Sequence, residues 1–297
     1  MRPQEAGFLL LTSKLGNPER KCLSVAQLRV LAQRMQSSQK PEEDRDLTFM
    51  DLMALGYGEE MARRIAALLE EEEALGHYVR QGERRSCVPL SRLHPKYPQE
   101  LRQRLGLDAP GCLWAKGDLS ILKMPKVSLV GSRDLLPENR KFAEEVGRQA
   151  ALQGYALVSG NARGADRTAQ EACLAAGGRV ISVVADELEK QPSRERVLYL
   201  SEDGFSEEFS AARALSRNRV IHGLGCKTFV AQCGYQKGGT WDGSVKNLRF
   251  GWSPVFCFRD GSAAMELLAQ MGAELVEMED LSRLESLQKG EMSLFEE

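Results

Sequence analysis

From Lys126 onward the chain alternates between short apolar runs and longer amphipathic stretches. Strand-length apolar runs fall at 127–130, 155–158, 180–185, 197–200, 228–233 and 255–258, with 275–278 as a candidate last strand. Helical spacing fills most of the gaps, at 138–153, 165–176, 209–223, 243–250 and 262–271. Short runs that are apolar throughout belong to strands buried on both faces, and strands separated by helices form a parallel sheet. Right-handed crossovers then bring the strand-to-helix loops to one edge of the sheet, where ligands bind. The predicted fold is α/β: a Rossmann-like, mostly parallel sheet with helices on both faces.

Before residue 86 the periodicity is helical. Leu47, Met50, Leu52, Met53 and Leu55 lead into Gly56-Tyr57-Gly58. A helix follows, with Met61, Ile65, Leu68 and Leu69 on one face and Arg63, Arg64 and the acids at 70–73 in solvent. Residues 36–46 read as a polar loop, and Leu93-His94-Pro95-Lys96-Tyr97-Pro98 as a proline-broken extended connector. The expected organisation is a small helical N-terminal domain over 1–85, the α/β domain over 86–280 and an acidic, disordered tail over 281–297.

Composition narrows the setting. Leu9, Leu10 and Leu11 form too short a run for a signal peptide, and no later run approaches transmembrane length, so a cytoplasmic protein without a membrane association is expected. Seven scattered cysteines without a CxxC pair, and three histidines at 77, 94 and 222, fit reduced thiols and offer no metal site. The net charge of −2 hides an asymmetry: from Glu277 to Glu297 seven acids face two bases, leaving +3 on the rest. No block of Lys and Arg is present, so a nucleic-acid site has to be local, built from a few arginines on loops.

Such loops exist. The first run of the sheet leads into Gly131-Ser132-Arg133, and the second into Ser159-Gly160-Asn161-Ala162-Arg163-Gly164-Ala165-Asp166. The helix near 215 carries Ser216-Arg217-Asn218-Arg219, and the run at 228–233 leads to Lys237-Gly238-Gly239-Thr240. Glycine lets backbone N–H groups approach an anion, and a helix N-terminus adds partial positive charge. Hydroxyls donate to phosphate oxygens, and arginine offers a planar bidentate donor that also stacks on bases. Asp166 either caps the next helix or accepts a bond from Arg163. Two loops on one sheet edge, each pairing glycine and a hydroxyl with arginine, point to a phosphate-bearing ligand. A G-x-G-x-x-G fingerprint, a Walker A loop and a G-x-S-x-G elbow are all absent, so no cofactor and no catalytic residue is assigned. Tyr235 and Trp241 flank the last loop, and Trp241 is the candidate for stacking on a base.

These segments resemble a family. "VSLVGSR", "ALVSGNARGADRTAQEACLAAGGRVISVV" and "SRNRVIHGLG" occur in the order seen in DprA/Smf DNA-processing proteins, and "HPKYPQEL" resembles the family's entry into its Rossmann-like domain. The resemblance implies binding of single-stranded DNA, handover to a RecA-type recombinase, homodimerisation and no catalysis. Position by position it implies that Gly131, Ser132 and Arg133 form one phosphate loop. Ser159, Gly160, Arg163, Gly164 and Asp166 form a second, joined by Arg217, Asn218 and Arg219; Asn161, within the same loop, is a candidate by its place there and not by the resemblance. The chain departs from the family pattern at Asn161, Ala165 and Gln170, and at "KGGTWDGS", which holds the candidates Gly239 and Thr240. In the tail, Met292, Ser293, Leu294 and Phe295 resemble the peptide that docks in bacterial sliding clamps. Two other classes stay open: a sensor of a small nucleotide, and a nucleotide phosphoribohydrolase of the lysine-decarboxylase-like group, whose catalytic glutamate is replaced here by Gly243.

Overall fold

The computed structural model describes residues 2–38 and 47–288. Two compact units are built from them: Met1–Lys116 with Asp186–Gln191 and Ser201–Glu208, and Gly117–Ala185 with Pro192–Leu200 and Phe209–Glu297.

The first unit runs α1 (Pro3–Thr12), α2 (Val25–Gln36), α3 (Phe49–Ala54), α4 (Glu59–Leu69), α5 (Glu72–Arg84), β1 (Cys87–Ser91), α6 (Gln99–Leu105) and β2 (Cys112–Gly117). Ser24 and Thr48 start α2 and α3 through reciprocal capping bonds with Gln27 and Asp51. Leu28, Leu31, Leu52 and Ile65 bury their helix faces in one core. Tyr78 of α5 stacks on Phe205 at 4.3 Å and meets Trp114 edge-on at 5.2 Å. Its hydroxyl accepts the Phe205 N–H at 3.1 Å, satisfying the buried oxygen. The antiparallel pair β1–β2 is absent from the sequence reading, because Pro89 sits inside β1. The ring is tolerated there because β1 is the edge strand.

The second unit holds β3 (Lys126–Val130), α7 (Pro137–Leu152), β4 (Ala156–Ser159), α8 (Ala165–Ala175), β5 (Arg179–Val183) and β6 (Val197–Ser201). It continues with α9 (Ala211–Ser216), α10 (Asn218–Leu224), β7 (Thr228–Val230), α11 (Gly239–Phe250), β8 (Val255–Phe258), α12 (Ala263–Gln270) and β9 (Glu274–Val276). Strands β6-β5-β4-β3-β7-β8-β9 pair in that order, all in parallel, as the uniformly apolar runs predict. Every residue of β3 is buried, and Phe229 of β7 and Phe256 of β8 are fully enclosed.

Three local differences from the sequence reading follow from tertiary packing. The helix read over 209–223 breaks at Arg217, where the Val220 N–H turns back to the Arg217 carbonyl at 3.0 Å. Helix α11 begins at Gly239, four residues earlier than its apolar spacing suggests, where Asn218 Nδ2 holds the Gly239 carbonyl and Leu215 lies close by. Where the sequence reading begins a disordered tail at 281, 3-10 turns over Glu279–Ser286, interrupted at Arg283, bury Leu281 and Leu284. The clamp-like residues Met292, Ser293, Leu294 and Phe295 lie outside the described residues. Among the described residues no helix is long and apolar enough to cross a membrane, and no group of three His, Cys, Asp or Glu side chains is placed to hold a metal ion.

Candidate phosphate-binding cleft

The strand order reverses at β3. The chain runs outward through β4 and β5 to β6, returns to the other side of β3, and leaves through β7, β8 and β9. A crevice opens outside the carboxyl ends of the strands at such a reversal, and ligands of α/β sheets bind there. In this chain it is a cleft of about 890 Å³, lined by Gly131, Ser132 and Arg133 after β3, by Arg217 and Asn218 where α9 meets α10, and by Lys237 to Thr240 after β7. A second groove of about 990 Å³ lies between α7 and α8. Its cations are already engaged: Lys141 with Glu138, Arg148 with Glu145, and Arg140 with the Thr168 hydroxyl. The smaller cleft is the better candidate.

Loops one and two are knitted to each other and to the sheet. A Cβ on Gly164 (φ +87°) would collide with the carbonyl oxygens of Ser132 and Arg133, one on Gly131 with the Ala165 methyl, and one on Gly160 with the Arg217 guanidinium. Ser132 donates both its N–H (2.9 Å) and its hydroxyl (3.2 Å) to the Gln232 carbonyl. Ser159 is buried and accepts a bond from Gln170 Nε2 at 2.6 Å. Asn161 holds a positive φ of 61°. Asp166 accepts the Ala162 N–H at 3.1 Å and faces Arg217 at 3.9 Å, so it staples loop two rather than binding Arg163. Burial pushes its carboxyl above the usual range, against the pull of the Arg217 charge and of the Ala162 and Gly160 N–H groups.

The arginines divide sharply. Arg133 lines the cleft, and among the described residues its side chain has no hydrogen-bond or ion-pair partner. Arg217 is buried beneath loop two and reaches the cleft floor. Arg163, in contrast, is outside the lining and forms a 2.6 Å pair with Asp134, both side chains largely exposed. Arg219 donates to the Ser216 carbonyl at 2.7 Å and also lies outside it.

Across the cleft, α11 presents an uncapped N-terminus. Its first internal bond runs from the Asp242 N–H to the Gly238 carbonyl (3.0 Å), which leaves the N–H groups of Gly239, Thr240 and Trp241 ahead of the ladder. Around Gly238 (φ +87°) nothing lies within 4 Å of a Cβ position. Asn218 Nδ2 donates to the Gly239 carbonyl at 3.0 Å and fixes this turn against α10. The exposed ammonium of Lys237 stands beside it. Beside these polar groups is an apolar surface of Phe209 (57% exposed), Ala211, Ala214 and Leu215 (48% exposed), with Leu215 close against Gly239. The polar groups suit phosphate oxygens and the apolar surface suits a flat apolar group.

The structure therefore gathers Gly131, Ser132, Arg133, Asp166, Arg217, Asn218, Gly239 and Thr240 around one cleft, while Ser159, Gly160 and Gly164 support it from behind and Asn161 lies outside the lining. Phe209 and Leu215 are additional lining residues that the sequence reading did not select, and Lys237 and Gly238, noted there only as part of the loop, line the cleft as well. Trp241 packs against Tyr235 at the rim, outside the lining.

Comparison with known proteins gives one consistent result. Residues 89–283 match the family model for DNA recombination-mediator protein A. The DNA processing protein DprA of Streptococcus pneumoniae is 33% identical over 193 residues, which covers 61% of this chain and 67% of that protein. The X-ray structure of the S. pneumoniae protein superposes with a TM-score of 0.68 at 27% identity, covering 95% of this chain and 97% of that one. DNA processing protein A from Helicobacter pylori, described for its single-stranded DNA binding mode, shares the fold at a TM-score of 0.55 and 22% identity, over 66% of this chain and 94% of that one.

Proposed function

The chain belongs to the DNA recombination-mediator protein A family, and from that premise we propose that its cleft binds the backbone of single-stranded DNA. The observation that carries this reading is that two cations without an ion-pair partner among the described residues, Arg133 and Lys237, share the cleft with the open N-terminus of α11 and with the apolar surface of Phe209 and Leu215. Phosphates sit among the polar groups, where arginine, lysine and helix N–H groups position a strand without reading its sequence. Bases turn toward the apolar surface, which accepts the face of any of them. The H. pylori relative's single-stranded DNA binding supports the same ligand.

Both carboxylates that line the cleft are engaged: Asp166 accepts the Ala162 N–H and faces Arg217. Asp242, next to the position of the hydrolases' glutamate, is paired with Lys246 at 2.8 Å. On this reading the chain handles DNA without catalysis. It acts in the cytoplasm during DNA uptake or recombination, as a homodimer that passes the strand to a RecA-type recombinase. The clamp-like segment at 292–295 adds a tether to the sliding clamp; retention of the clamp by a Leu294→Ala, Phe295→Ala variant in a pull-down would remove that part.

The test is fluorescence anisotropy with labelled oligo-dT of increasing length at two salt concentrations, with AMP as competitor. Affinity that grows with length, falls with salt and ignores AMP is expected, since each neutralised phosphate releases counterions. Affinity independent of length, with displacement by AMP, identifies a mononucleotide sensor instead.

A further inference from the structure

Beyond the cleft itself, we propose that Tyr235 and Trp241 form an outer base-stacking step, so that a bound strand leaves the cleft past Lys237 and lays its next base on this aromatic pair. The proposal rests on the single-stranded DNA reading above and extends its footprint.

The two rings are neighbours, with centroids 6.3 Å apart and planes inclined by 41°. Tyr235 sits in a tight turn closed by the bridge between Gly234 and Lys237, with Gln236 at a positive φ of 51°, and its side chain is 53% exposed. Trp241 is the third residue of α11 and is partly exposed. Both are interleaved with the cleft lining: Gly234 and Lys237 bracket Tyr235, and Thr240 and Asp242 bracket Trp241. The aromatic pair is therefore continuous with the phosphate-binding rim, and Lys237 stands between the two surfaces. A large apolar side chain held out at the apex of a tight turn gains nothing from the core. Beside a free cation, it has the composition of a surface that tracks a backbone and stacks bases regardless of their identity. A protein partner would need a broader apolar patch than two rings flanked by glycine, lysine and aspartate.

The experiment compares the parent chain with Tyr235→Ala, a change at an exposed turn, using dT12 and an abasic 12-mer with the same phosphates. Tyr235→Ala is expected to lower affinity for dT12 by about 5- to 150-fold, the range one stacked base spans, and to leave affinity for the abasic strand unchanged. Trp114 and Trp252 are buried, so dT12 is expected to quench tryptophan emission in the parent and not in Trp241→Phe. If Tyr235→Ala binds dT12 as tightly as the parent and emission does not change, the outer step is wrong and the cleft reading stands. If the parent binds neither strand at low salt, both fall together.

Discussion

After β3 and β4, Gly131, Gly160 and Gly164 turn their missing side chains against protein: a methyl, a guanidinium and two carbonyl oxygens. After β7, Gly238 turns its own against open space. The first set closes loops one and two onto each other and onto Arg217. The second leaves a helix N-terminus bare. Glycine in a strand-to-helix loop thus serves two unlike ends, and what a Cβ would meet there tells a filled contact from a vacant cradle. Loops one and two carry the family's most recognisable motif, yet the vacant cradle lies on the KGGTWDGS loop, where a whole segment departs from the family pattern.

The largest effect expected from this contrast is on stability. Gly164→Ala places a Cβ at φ +87° and drives it into two carbonyl oxygens, whereas Gly238→Ala meets the same φ without a collision. Backbone strain of this kind costs about 1–3 kcal/mol, and overpacking adds about 1–3 kcal/mol more. Urea unfolding is expected to show Gly164→Ala as the less stable variant by about 2 kcal/mol. Equal losses would break the comparison, because the two glycines would then be doing the same job.

The next effect concerns how the open side is held. Asn218 fixes Gly239, and one turn further along α10 the buried His222 accepts a bond from Asn247 Nδ2 at 2.9 Å through its Nδ1. The Asn247 oxygen is committed to the Ser253 N–H at 2.9 Å, so Nδ2 is the donor and the imidazole is neutral with its proton on Nε2. Burial pushes the His222 pKa down from 6.5 to about 3. The unfolded chain therefore takes up the proton first. The stabilisation is complete above about pH 6.5 and is lost as pH falls toward 3, with about 2 kcal/mol gone by pH 5. His222→Gln removes that component, so the difference in urea midpoint between parent and variant is expected to shrink between pH 7 and pH 5. A constant difference would mean that the imidazole is not held neutral.

A third comparison sets the free cations against the paired one. Arg133→Ala and Lys237→Ala are each expected to reduce the slope of log affinity against log salt by about 1, with thermal stability unchanged. Arg163→Ala is expected to lower that slope by less, because Asp134 already neutralises the guanidinium. Anisotropy titrations at four salt concentrations resolve the difference. Equal slopes for all three variants would place Arg163 on the strand's path.

Much of this was legible in the sequence, and the remainder was not for identifiable reasons. Strands buried on both faces announce themselves as unbroken apolar runs, so the parallel sheet and its ligand edge follow from residues such as 127–130 and 180–183. Which glycine is vacant depends on contacts between loops distant in sequence, and no local signal separates Gly164 from Gly238. Phe209 and Leu215 fall in a stretch read as one helix over 209–223; Phe209 instead precedes α9, and both side chains stand exposed in the cleft lining. Arg133 and Arg163 are equivalent as letters, and only the position of Asp134 distinguishes them. Gln232, which ties loop one to the end of β7, carries no motif at all.

The smallest effect tests that last distinction. Arg163 and Asp134 are 73% and 86% exposed, and an ion pair in such surroundings contributes about 0–1 kcal/mol, since water and salt screen it and two side chains lose freedom to hold it. Asp134→Asn should leave the melting temperature unchanged. It also removes a negative charge one residue from Arg133 and releases the Arg163 guanidinium toward solvent. At low salt the affinity for oligo-dT is expected to rise by less than about fivefold, and the gain should vanish at about 0.5 M salt, where the screening length is only a few ångströms. An Asp134→Asn variant that binds no better at low salt would place this pair beyond the electrostatic reach of the strand, and the phosphate path would then run from Arg133 directly to α11 without touching loop two.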